Sequence, residues 1–163
     1  KNSGPSLEFA VLCNDYGLQQ KRQGKHAEAI RLFMRAVDIW SRLNGPEHLT
    51  VANASLNLCT ACYAMGGLQQ AKEHAKAALD IRKAAVGGNH PLYAEALVNL
   101  AAVGLASEHK GRNKKEAERQ LLQGVAILER TRGGQHPDTQ WARSFLPKEE
   151  QDDSDDDDDD DDD

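Results

Sequence analysis

The sequence predicts an all-α fold built as a stack of antiparallel helical hairpins, and three observations carry the prediction. The segment Gly45-Pro46-Glu47-His48 returns as Gly87-Gly88-Asn89-His90 and again as Gly133-Gly134-Gln135-His136, at steps of 42 and then 46 residues. Ala and Leu together supply 40 of the 163 residues whereas the β-formers Val, Ile and Thr supply 15, so the backbone preference is helical. All five prolines fall at the ends of apolar-periodic stretches, where a missing N–H costs least. Self-similarity on this scale marks hairpins that bury their faces on one another, and about three units are needed before such a stack holds. Three units are present here, with the start of a fourth.

The elements follow in order from that punctuation. A first helix is expected near 6–23, after Pro5 and before Gly24. The second, near 26–43, carries Ala29, Ile30, Leu32, Phe33, Ala36, Val37, Ile39 and Trp40, an apolar face wider than one stripe, so neighbours must cover it on both sides. Pro46 ends that hairpin. The next pair is expected near 49–65 and 68–85, divided by Gly66-Gly67, where the chain must reverse. Pro91 opens a helix near 91–109, Gly111 divides it from one near 114–131, and Pro137 opens a last segment near 137–146. Register holds across units: Asn57-Leu58 returns as Asn99-Leu100, and Ala29 as Ala71 and Ala117. Trp141, Phe145 and Leu146 read as the apolar side of a helix that covers the last unit.

Charge divides the chain in two. Residues 1–151 hold 20 bases and 15 acids, while Asp152, Asp153 and the run Asp155 to Asp163 add 11 acids. The expected organisation is a disordered end over 1–5, a repeat domain over 6–146 with units of about 6–47, 48–89 and 90–135 and a capping helix at 137–146, and a disordered acidic tail over 147–163. No apolar run reaches the roughly 18 residues of a membrane span, and neither a membrane nor direct nucleic-acid contact is expected.

At these positions the sequence resembles the tetratricopeptide repeat. A small residue sits midway along each first helix (Gly17, Cys59, Ala101), preceded by a large one (Tyr16, Leu58, Leu100). The Ala that opens each second helix is followed four residues on by Phe33, Ala75 or Leu121, and then by Ala36, Ala78 or Gly124. The 42-residue step, longer than the usual repeat of about 34, together with Gly-x-x-His-Pro linkers is similar to the kinesin light chain type. The resemblance spans residues 6–146 and implies a right-handed superhelical solenoid of three repeats plus a C-terminal capping helix. It also implies that first helices line a concave groove that receives an extended peptide. Carried over by position, the groove residues are Val11, Asn14, Asp15 and Leu18, then Asn53, Leu56, Asn57 and Thr60, then Glu95, Val98, Asn99 and Ala102. Asn57 and Asn99 stand foremost, because a carboxamide offers donors and an acceptor to a peptide backbone whatever its side chains are. The clamp with which chaperone-binding members hold a C-terminal carboxylate is not expected, since Leu18, Ala102 and Ala106 stand where its polar groups belong.

Unit three carries four extra residues at a basic turn, with Lys110, Arg112, Lys114 and Lys115. Either a longer solvated turn or a contact for an anion or acidic partner accounts for it. Cys59-x-x-Cys62 lacks the second pair that zinc needs and lies in mid-helix, so the two read as buried structural residues. His48, His90 and His136 are repeat-equivalent, expected to cap or pack beside the helix that follows each, and too far apart to share a metal. No phosphate-binding glycine loop, nucleophile elbow or His-Glu-x-x-His pattern is present, so neither catalysis nor a cofactor is expected.

The function expected is a protein–protein interaction scaffold that binds a protein or peptide partner. Two alternatives stand beside it: an acidic-tailed chaperone or assembly factor for basic clients such as histones or ribosomal proteins, and a structural subunit of a ciliary, motor or other large complex. The tail is read either as a solubilising extension or as a weak, salt-sensitive contact with the body or with a basic protein. Three cysteines, odd in number and all within helical patterns, fit a reducing compartment, so an intracellular, cytoplasmic location is expected. Because the chain begins at Lys1, an N-terminal targeting segment is left open.

Overall fold

The computed structural model describes residue 4, residues 6–107 and residues 112–147 of the chain. The described residues form seven helices: α1 (Leu7–Arg22), α2 (His26–Asn44), α3 (Leu49–Ala64), α4 (Leu68–Val86), α5 (Pro91–Ala106), α6 (Arg112–Arg132) and α7 (Pro137–Arg143). Two of the expected boundaries are corrected. Helix α5 stops at Ala106 rather than near 109, because Ser107 turns to extended backbone (ψ 127°) while its hydroxyl donates to the Val103 carbonyl at 2.9 Å. Helix α7 stops at Arg143 rather than 146, and Ser144 to Leu146 continue as tight turns. Pro147 follows, and a proline disfavours helical backbone in the residue before it.

Each helix packs on its neighbours in sequence, and α1, α3, α5 and α7 also touch in succession. Among the described residues the backbones of α2, α4 and α6 do not approach one another closely. First helices therefore line one surface and second helices the other.

Both kinds of turn follow from local chemistry. Within hairpins one and two, Gly24 and Gly66 take φ of 75° and 77°, a left-handed conformation that a side chain would strain. Between hairpins the linker histidine is the N-cap. The Nδ1 atoms of His48, His90 and His136 accept from the backbone N–H of Thr50 (3.2 Å), Leu92 (3.1 Å) and Asp138 (3.2 Å). An accepting Nδ1 puts the ring proton on Nε2, and each bond satisfies a donor that the first helical turn leaves orphaned.

The core runs lengthwise through the stack in clusters that bridge successive hairpins. Ala36, Ile39 and Trp40 of α2 bury Val51 and Ala54 of α3, and Ala29 and Phe33 bury Leu58 and Ala61. Inside each hairpin the size of the residue midway along the first helix is matched to its opposite. Gly17 faces Phe33, Cys59 clusters with Ala75, and Ala101 with Leu121. A Cβ on Gly17 would lie 2.6 Å from Phe33 Cε1, so glycine there is what admits the ring.

Replacing Gly17→Ala should destabilise the chain by about 1–2 kcal/mol in urea denaturation, because overpacking against a buried ring outweighs the gain in helix propensity. With Phe33→Ala already made, the sign should reverse and Gly17→Ala should stabilise by up to about 1 kcal/mol. An unchanged sign in the double variant would show that the ring does not set the requirement.

Candidate partner-binding groove

The inner surface formed by α1, α3, α5 and α7 carries some of the residues expected in the groove, in three different states. Asn14 and Asn57 bridge α1 and α3, the Asn57 Nδ2 donating to Asn14 Oδ1 at 3.0 Å. The Thr60 hydroxyl donates to the Asn57 carbonyl and accepts from Lys21 Nζ, both at 3.0 Å. Burial holds the Lys21 ammonium below the usual lysine range, the neighbouring Arg22 adds to that, and Cys59 opposes it. Among the described residues Asn99 bonds only within its own helix, its Nδ2 donating to the Glu95 carbonyl at 2.8 Å while its side-chain oxygen has no partner. Asp15 is exposed.

Two expected groove positions are corrected. Val98 is fully buried, with its methyl against Gly124 of α6, and Leu56 is buried with Ala52, Ala78 and Ala96. Both face the core because helix α5 must meet α6, and α3 must meet α4, along the side that carries them.

Asn53 and Glu95 belong to a polar brace that the sequence did not reveal. Arg82 of α4 is 4% exposed. Its guanidinium donates to Asn53 Oδ1 of α3 at 2.9 Å, to the Leu92 carbonyl of α5 at 2.6 Å and to Glu95 Oε2 at 3.0 Å, while its Nε finds no partner. The other Glu95 oxygen holds Arg132 of α6 at 2.8 Å, and Arg132 pairs with Asp138 of α7. Burial lowers the affinity of Arg82 for its proton and Glu95 opposes that shift. Arg82 occupies the repeat position of Trp40 and Leu128, so a charged side chain stands in a column that is otherwise apolar. Its signal was present as a break in that register.

The capping segment also contributes to the groove. Continuing the repeat register by 46 residues from Glu95 and Asn99 arrives at Trp141 and Phe145. Their rings meet edge to face at 5.4 Å, and with Thr60, Tyr63, Asn99 and Ala102 they enclose a hollow of about 200 Å³. The reading of Trp141, Phe145 and Leu146 as cover for the last unit is corrected for Trp141 alone. Ala142, Phe145 and Leu146 pack on the α5–α6 core, whereas Trp141 remains 38% exposed.

Of the basic turn, Lys110 lies outside the described residues, Arg112 opens α6, and Lys114 and Lys115 are exposed on its first turn. Glu118 lies 3.8 Å from Lys114, and Glu116 holds Arg119 at 2.6 Å, so acids interleaved on the helix answer part of the positive charge. The acidic tail from residue 148 onward also lies outside the described residues, as do residues 1–3 and 5.

Cys13, Cys59 and Cys62 are free and buried. Burial, with Cys62 adding and Lys21 opposing, pushes the Cys59 thiol up to about 12. Among the described residues no three His, Cys, Asp or Glu side chains converge as metal ligands, and no helix is long and apolar enough to cross a membrane.

The tetratricopeptide repeat family matches residues 8–84 and, overlapping them, 50–111, together more than half of the chain. The chain belongs to the tetratricopeptide repeat family. Such repeats mediate protein–protein interaction, and proteins built from them are typically scaffolds without enzymatic activity. Its structural neighbours are of the kinesin light chain kind. A Podosopora anserina kinesin light chain-type protein with nearly identical TPR-like repeats has a TM-score of 0.73 at 22% identity, over 86% of this chain and 64% of its own. A variant of the same protein gives 0.71 at 23% identity, over 82% and 61%. BtubC (BKLC) from P. vanneervenii gives 0.69 at 16% identity, over 83% and 55%. The likeness is one of fold, and this chain spans less than two thirds of the length of each neighbour. No curated protein matches the chain by sequence.

Arg82→Ala should destabilise the chain by about 3 kcal/mol or more, since it strands the buried partners of a charged group, whereas Arg42→Ala, which breaks an exposed pair with Asp38, should stay within about 1 kcal/mol. Equal losses in thermal melts of the two variants would remove the brace from the account. For Cys59, a folded-state value near 12 lies above the ordinary thiol range of about 8.5. Its contribution to stability is therefore complete below about pH 8 and is lost as pH rises toward 12. Native protein at pH 8 should resist alkylation at this residue, and Cys59→Ala should reduce the alkaline loss of stability. Rapid native labelling of Cys59 would contradict its burial.

Proposed function

We propose that the chain is a protein-binding scaffold whose concave inner groove receives an extended peptide or a partner's surface segment. The observation that carries this reading is the unspent hydrogen-bonding capacity of Asn99 beside the aromatic hollow of Trp141 and Phe145, with Asp15, Asn57 and Thr60 continuing the polar row toward α1. A backbone carboxamide partner needs donors and acceptors spaced along one surface, and side-chain amides supply both. Asn53 and Glu95 line the same surface but are already held by Arg82 and Arg132, so they shape the groove more than they bind. Side-chain amides beside an apolar hollow favour recognition of a peptide backbone together with an apolar side chain. An intracellular, reducing location accords with three free, buried cysteines.

The charge contrast favours a second reading, in which the aspartate run engages basic client proteins and the repeats act as a platform. Salt separates the two, because exposed charge contacts fade as the screening length shortens and groove hydrogen bonds respond less.

An array of extended peptides, followed by titration on the fluorescence of Trp141, tests the primary reading; Trp40 is buried and serves as the internal reference. Asn99→Ala should leave stability within about 0.5 kcal/mol yet weaken a bound peptide roughly tenfold. Asn57→Ala should weaken binding as well but cost about 1 kcal/mol of stability, because it also breaks the bond to Asn14. Unchanged affinity in both variants would reject the groove, and binding that vanishes only with removal of residues 152–163 would support the second reading.

A further inference from the structure

The inner surface carries an amine whose surroundings differ from those of the other described lysines. Lys21 stands in the last turn of α1, and one and two repeats further on the same position holds Tyr63 and Leu105. A charged side chain again interrupts a column of large, weakly polar ones, as at Arg82, but here no carboxylate answers it. The Lys21 Nζ reaches across to α3 and donates to the Thr60 hydroxyl at 3.0 Å. Among the described residues it forms no ion pair. Thr60 spends its own proton on the Asn57 carbonyl, so toward Lys21 it acts as an acceptor. The site therefore uses an N–H at Nζ and makes no use of the charge.

Lys21 is half-buried, whereas Lys72 and Lys76 are exposed on α4. Burial, with Arg22 of its own helix adding and Cys59 of α3 opposing, holds the ammonium below the usual lysine range. A desolvated ammonium without a counter-ion releases its proton more readily, and the free amine is a nucleophile. In that form one N–H stays on Thr60 while the lone pair is free to react. Cys59 does not compete, because burial raises its thiol to about 12 and keeps it protonated at neutral pH.

The hydrogen bond to Thr60 selects the electrophile. An aldehyde would give an imine, which has no N–H for Thr60 when neutral and restores the unanswered charge when protonated. An acyl donor gives an amide, which is neutral and keeps one N–H for Thr60. Thr60 also borders the hollow of about 200 Å³ beside Trp141 and Phe145, which has room for an acyl group of a few carbons. We propose that Lys21 is a site of acylation by acyl thioesters, which replaces an unpaired charge on the inner surface with a neutral amide held by Thr60. The Nζ lone pair attacks the thioester carbonyl carbon, and the C–S bond breaks with its electron pair on sulfur. The proton lost from nitrogen passes to the leaving thiolate, so the products are an amide and a free thiol, with no change of oxidation state.

Incubating the whole chain with an excess of acetyl coenzyme A at about pH 8, in buffer and in concentrated urea, and mapping acetylation by mass spectrometry tests the proposal. In the folded chain Lys21 should react at least about threefold faster than Lys72 and Lys76, and in urea that preference should vanish. Over a pH series the rate at Lys21 should level off at a lower pH in the folded chain than in urea. The acetylated chain should melt no lower than the unmodified one, since the lost charge had no ionic partner. A Lys21 that reacts no faster than Lys72 and Lys76, or a pH profile that is the same folded and unfolded, would overturn the proposal. So would a preference that survives urea, which would trace it to the adjacent Arg22 instead of the fold, and a melt lowered by acetylation, which would show that the charge itself is needed. No peptide is present in these measurements, so their outcome is independent of whether the groove binds one.

Discussion

None of the hairpins in this chain can bury its own apolar face, and the architecture follows from that constraint. The second helix of the first unit illustrates it. Phe33 is enclosed on one side by Gly17 of its own hairpin and on the other by Leu58 of the next. Contacts of this kind cannot be satisfied in isolation, so the units order one another along the stack, and stability is shared between each hairpin and its nearest neighbours. Close approach is the local condition for that sharing. It is met by a different pair in each unit, glycine with phenylalanine, cysteine with alanine, alanine with leucine, so the volume at the contact is regulated even where neither residue is repeated.

Polar groups add direction to this nonspecific attraction. A continuous chain of contacts runs from Asn53 through Arg82, Glu95 and Arg132 to Asp138, and it ties α3, α4, α5, α6 and α7 into one relative placement. Burying a guanidinium this deeply gains little net stability over an apolar residue of the same size, but any arrangement that separates its partners is costly. The brace therefore acts on geometry. It holds the inner surface of the second and third units, where Asn57 and Asn99 stand, and it fastens the short helix that brings Trp141 beside them.

The two ends of the stack are treated differently by the sequence. At the C-terminal end Ala142, Phe145 and Leu146 lie over the α5–α6 core, and Arg143 binds Glu129 at 2.6 Å across the last linker. At α1 the positions that carry alanine and leucine within the stack carry leucine and tyrosine and remain uncovered. A buried seam between helices favours a small residue at its closest point.

The hairpin plan was legible in the sequence because it rests on short-range rules. Glycine at positive φ, proline in first turns and an apolar pattern repeating every 42 residues are local signals, and they located all seven helices to within three residues at each end. The histidine of each linker was legible for the same reason, since a cap reaches only two residues onward. The direction in which each groove residue faces was not. Val98 and Asn99 are adjacent in sequence, yet the first is buried against α6 and the second opens to the inner surface, and only the placement of α6 decides between them. Arg82 is the plainest case: the sequence shows only a base where the repeat register otherwise carries Trp40 and Leu128, and its role comes from Asn53, 29 residues before it, and Glu95, 13 residues after it. Local backbone preference acts through neighbours along the chain and can be read from them, whereas burial and charge pairing depend on which surfaces meet, and that is settled only when the hairpins stack.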